Sequence, residues 1–166
     1  AGLMNMATNI RVKTDRRFKT LYTELTECAF SEMHELFFLC ACLGFRNNQR
    51  EPLGKSGEDR FWSGTITTLE YSSYYAMVLK ENDMDMSAIA DDQQVLKQIE
   101  EYANAGMKLL LDTELQYYLI EREGEYRPDP SQKENLPGLL LRVVLDKIGP
   151  HTAITRESSD EKYSTG

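Results

Sequence analysis

LFFLCACLGFRNNQREPLGKSG, residues 36–57, changes character part-way along. From Leu36 to Leu43 the residues are apolar on nearly every side of a helix, and a helix that is apolar all round is buried all round. Gly44 reads as its natural stop. From Arg46 to Gly57 the turn formers Asn47, Asn48, Pro52, Gly54 and Gly57 alternate with Arg46, Arg50 and Lys55, which reads as a basic loop. The stretch is therefore a central core helix that presents a loop. Ser31 is the expected cap of that helix, and the acids that follow it suit the positive helix end.

Working outward, Asn9 to Lys13 alternates and is short enough to be an edge strand or an extended arm. Thr14 or Asp15 can cap a helix over 15–27, because Phe18, Leu21, Tyr22 and Leu25 recur at the spacing of one helical face. Downstream of the loop, Trp62 to Lys80 is helical or mixed. Its β-branched run Thr65 to Thr68 leaves strand open, whereas Leu69, Ser72, Ser73, Ala76, Met77 and Lys80 favour helix in the second half. Asn82 to Met86 breaks it. A long helix follows from Asp91 to about Leu115, with Gly106 marking either a break or a close helix contact. Residues 122–137 carry three of the five prolines and read as a polar connection, and Leu136 to Ile148 is a last short apolar segment.

The sum is a mainly α, single-domain helical bundle with a short N-terminal extended arm. Its length of 166 residues and 41% hydrophobic content are those of one core. The domain is expected over 10–150, preceded by a flexible start at 1–9 whose Ala1-Gly2-Leu3 reads as the remnant of a cleaved tag, and followed by a polar tail at 151–166. No apolar run approaches the roughly 18 to 20 residues of a membrane span. Three cysteines, Cys28, Cys40 and Cys42, cannot pair completely, so the expectation is a reduced, cytoplasmic protein without a membrane partner.

The chemistry-bearing residues form no catalytic or metal pattern. Cys40 and Cys42 point about 200° apart on a helix, cannot chelate one ion together, and lie in an apolar run that disfavours a thiolate. His34 stands at a helix start and His151 in the tail, and both read as solvated. The acid clusters Asp83/Asp85, Asp91/Asp92, Glu100/Glu101 and Glu121/Glu123/Glu125 are mostly neighbours that point apart, so a metal-dependent nuclease subunit is the least supported reading. Gly54-Lys55-Ser56 matches only the end of a phosphate-binding loop. No cofactor and no metal are expected, and a non-enzymatic role is favoured.

Charge is more informative. The net charge is −8, with the excess acid in the middle and later chain. Arg11, Lys13, Arg16, Arg17 and Lys19, with Arg46, Arg50 and Lys55, make two basic segments near the N-terminus. They are the candidate DNA-binding residues if they meet at one end of a helix pair and contact phosphates; otherwise they are ordinary surface and intramolecular pairs. The arm-helix-helix order also resembles ribbon-helix-helix DNA binders, which act as dimers through a shared ribbon.

One resemblance spans these elements. Ile10-Arg11-Val12, then Asp15, Leu43-Gly44-Phe45, Arg50-Glu51-Pro52-Leu53 and Ile99 to Gly106 occur in the order seen in the small accessory proteins associated with Dnd systems, the loci for DNA phosphorothioation. The resemblance covers roughly residues 9–115 and implies a context, sulfur modification of the DNA backbone or the restriction that it guards against, rather than a reaction. It leaves REPL either structural, with Arg50 on a carboxylate or carbonyl and Leu53 on the core, or functional. The reading is thus an accessory or adaptor protein of such a system, contacting DNA or a protein partner through its basic N-terminal surface. A dimeric ribbon-helix-helix-like transcriptional regulator is the alternative.

Overall fold

The computed structural model describes residues 6–148. The polar tail, with His151, lies outside the described residues. Residues 6–9 are anchored instead of loose: Met6 is buried, the Ala7 N–H donates to Asp92 at 2.7 Å, and the Ala7 carbonyl accepts from the Ser63 hydroxyl at 2.6 Å.

The alternating start becomes β1, Arg11–Asp15, with Val12 and Thr14 turned inward and Lys13 outward. Asp15 then caps the turn Arg16–Phe18 by accepting the Arg17 N–H at 2.9 Å, and that turn runs into α1, Lys19–Ala29. The expected helical face is the one that is buried, with Phe18, Leu21, Tyr22 and Leu25 against the core.

The central helix α2 spans Met33–Arg46, and within Leu36 to Leu43 only Phe38 keeps appreciable exposure. Two local expectations fail. Ser31 does not cap it; Glu32 occupies the cap position without bonding the helix amides, because its carboxylate is taken by His34 Nε2 at 2.8 Å. Nor does Gly44 stop the helix, which continues through it to Arg46.

The reason lies in α4, Asp92–Asp112, which crosses α2 backbone against backbone. A Cβ on Gly44 would lie 2.0 Å from the Tyr102 carbonyl oxygen, and one on Gly106 would lie 1.7 Å from that of Cys40. Each glycine thus faces the carbonyl four residues before the other, and only glycine admits this approach. Gly106 marks the close helix contact and not a break.

The loop after α2 ends earlier than expected. A strand, β2, Gly57–Trp62, pairs antiparallel with β1, with Asp15 opposite Gly57 and Arg11 opposite Trp62. Helix α3, Thr68–Glu81, opens on a capping box in which Thr67 and Glu70 bond each other's backbone N–H groups. Its buried face is Glu70, Tyr74, Met77 and Val78, whereas Leu69, expected inside, is 72% exposed. The helix is turned this way because Glu70 reaches inward to His34. Positive φ at Asp83 and Met84 ends the helix where the break is expected, and Asp91 caps α4.

Residues 122–137 are more ordered than a polar connection. Leu119–Arg122 and Glu125–Pro128 form an antiparallel hairpin, β3 and β4, around Glu123-Gly124, both at positive φ. A short helix, α5, Leu136–Val143, closes the core against α1. The described residues are mainly α with two small antiparallel sheets, and none of their helices alone is long and apolar enough to cross a membrane.

Candidate nucleic-acid interface

The β1–β2 register brings the two basic segments together. Asp15 opposite Gly57 sets the Arg16-Arg17 turn beside the Gly54–Ser56 turn, and the Ser56 hydroxyl locks the join by donating to Asp15 Oδ2 at 3.1 Å. Arg17 grips the same carboxylate through Nε at 3.2 Å and Nη2 at 3.0 Å. Burial pushes the Asp15 carboxyl up, but the bonds from Arg17 outweigh it and hold it below the usual carboxylate range. Lys55, one residue from Ser56, and Arg16, one from Asp15, therefore flank one corner of the molecule.

Arg50 reaches the same region by another route. Its Nη2 donates to Glu101 Oε2 at 2.7 Å, the Glu51 N–H donates to the Glu101 carbonyl at 3.0 Å, and Asn104 Nδ2 donates to the Glu51 carbonyl at 3.1 Å. Lys108 pairs with the Glu51 carboxylate. The REPL loop is thereby clamped along α4, with Arg50 on a carboxylate as one of the two sequence readings has it. An open cleft of about 470 Å³ lies between this loop and α4, lined by Gln49, Arg50, Lys108 and Asp112 among others.

Not every basic residue is equally available. Arg11 lies 3.6 Å from Asp59, Lys19 lies 3.9 Å from Glu58, and Arg17 and Arg50 are held as above. Lys13, Arg16 and Lys55 are exposed and make no ion pair among the described residues. Arg46 ends α2, and none of the contacts that tie the other segments together reaches it. Seven of the eight sequence-chosen residues thus lie along the ribbon, its adjoining turns and the clamped loop. Sequence reading missed Lys108 and Trp62, the first because its partner Glu51 lies far away in sequence, the second because β2 was not foreseen.

The strand itself is not a free arm. β1 has its partner strand in the same chain, and its Lys13 N–H donates to the carboxylate of Glu100 at 2.7 Å. A groove-entering ribbon shared between two copies needs that strand unpaired, so the ribbon-helix-helix alternative does not fit this fold.

The remaining reactive groups serve the core. Burial raises the Cys40 and Cys42 thiols to about 12, which agrees with core cysteines. His34, expected to be solvated, is buried, with Nδ1 2.8 Å from Glu70 and Nε2 2.8 Å from Glu32. Asp91 caps a helix, Asp92 holds Ala7 and the Tyr75 hydroxyl, and Glu100 holds β1. Among the described residues no three His, Cys, Asp or Glu side chains converge to hold a metal ion.

The family description DNA sulphur modification system-associated protein 4 matches residues 10–120, the whole of β1 through α4 and the start of the β3 hairpin. The chain belongs to this Dnd-associated family. No curated protein and no solved structure matches it. The matched span of this Dnd-associated chain contains the ribbon, the clamped loop and the Gly44–Gly106 crossing, so the basic corner is built entirely within the family's region.

Proposed function

We propose that this Dnd-associated protein is a non-enzymatic accessory of a DNA sulphur modification system that contacts the DNA backbone at the β1–β2 corner. One observation carries the reading: basic segments some forty residues apart in sequence meet at one corner, and Lys13, Arg16 and Lys55 there are exposed and committed to no acid. Cations held out in water against the trend of a −8 chain are suited to phosphate, a contact that positions a protein on DNA without reading its sequence. Arg17, Arg50 and Lys108 serve mainly to hold the corner's shape.

The test uses the uncommitted cations alone. A Lys13→Glu/Arg16→Glu/Lys55→Glu variant is expected to unfold like the parent and to lose at least about tenfold in duplex affinity at low salt. Parent-like binding by a folded variant overturns the reading. A protein-partner adaptor is the second reading, motivated by Met84 and Met86, both exposed and flanked by the acids Asp83 and Asp85. It takes precedence if the parent binds no DNA at low salt.

A further inference from the structure

Trp62 is the single tryptophan of the chain and is 50% exposed. The core does not need it, since the strand is anchored one residue earlier by Phe61, which packs edge-on against Phe37 at 5.2 Å between ring centroids. Its backbone is nevertheless tightly held: the adjoining Ser63 N–H donates to the Ile10 carbonyl at 2.8 Å, and Thr65 Oγ1 donates to the Trp62 carbonyl at 2.9 Å. Arg11, directly opposite in the register, lays its guanidinium 4.4 Å from the indole centroid, and Asp59 steadies that guanidinium from the side at 3.6 Å. Lys13 projects outward two residues along the same strand, about 6.6 Å away.

An exposed indole on a rigid ribbon, with a planar cation fixed against it and an uncommitted lysine alongside, combines the parts of a single-strand stacking site. Aromatic rings and guanidinium planes stack nucleobases whatever their identity, while nearby cations hold the phosphates. A base inside a duplex has both faces covered by its neighbours and cannot use such a platform. We propose that Trp62 and Arg11 form a stacking site for an unpaired nucleobase, with Lys13 on the adjoining phosphate, so that the protein engages single-stranded or opened DNA at this ribbon. The proposal rests on the DNA-contact reading above and names the form of DNA.

Trp62 also reports on its own occupancy, because all indole fluorescence of the chain comes from it. Titration of the full chain with an unlabelled oligothymidylate at low salt is expected to quench this fluorescence saturably, and a fully paired duplex of the same length is expected to quench it far less. By anisotropy of labelled DNA, Trp62→Leu should weaken single-strand binding on the order of tenfold while leaving duplex binding unchanged, with Trp62→Phe restoring part of the loss. Single-strand binding without quenching, or equal binding by Trp62→Leu and the parent, overturns the stacking site and leaves the corner's phosphate contacts standing. If the parent binds neither form of DNA, the DNA-contact reading falls and the stacking site falls with it.

Discussion

Glu100 shows how one side chain can tie the ribbon to the helical core at a cost that depends on pH. Burial raises its carboxyl to about 7, against the pull of the Lys13 N–H, from an ordinary value of 4.5. The folded protein therefore keeps a proton over an interval in which the unfolded chain has released it. Stability from this group is full below about 4.5 and is lost as pH rises towards 7, on the order of 3 kcal/mol in all. Glu100→Gln keeps an acceptor for the Lys13 N–H and removes the titration. In denaturant unfolding at a series of pH values, the variant is expected to match the parent near pH 4, to exceed it at pH 8, and to lack the parent's decline between them. His34 is a second such tie: it joins Glu32, at the start of α2, to Glu70, in the first turn of α3. Neither role was visible in the sequence. A histidine or glutamate at a helix start is exposed in most contexts, and only the packing of α3 and β1 on their neighbours reveals what it faces.

At the scale of elements, the α2–α4 crossing is the contact on which the rest depends. Gly106→Ala places a methyl group where the Cys40 carbonyl already stands, so the two backbones must part; a loss of about 3 kcal/mol or more is expected, read as a lowered denaturation midpoint. An alanine at exposed Gly138, which has nothing within 4 Å, should be tolerated and serves as the comparison. The helices on either side of this crossing were legible because their apolar residues repeat at helical spacing and Asp15 and Asp91 mark where chain ends and helix begins. The ribbon was only half legible. β1 alternates, but β2 reads Gly-Glu-Asp-Arg-Phe-Trp and buries only Phe61, so its strand character comes from its partner and not from its own pattern. The β3–β4 hairpin did carry a signal, the two-residue Glu-Gly turn, but its mostly exposed strands gave no apolar alternation to confirm it. Of the site, the basic residues were legible as a group, while their acid partners were not: Glu101 lies 51 residues from Arg50, and only the fold brings them together.

The whole molecule is acidic, yet it gathers cations along one ribbon and its adjoining turns and leaves three of them unpaired. That polarity gives an accessory of a DNA sulphur modification system a way to meet the DNA backbone while the acidic remainder stays clear of it. The central claim, contact with phosphate through Lys13, Arg16 and Lys55, is tested most directly by duplex binding across a salt series, with ordinary and phosphorothioate linkages in parallel. Three phosphate contacts give a slope of log affinity against log salt of about −3, equal for both duplexes because sulphur leaves the backbone charge in place. Binding that does not change with salt, or no binding even at low salt, would contradict it.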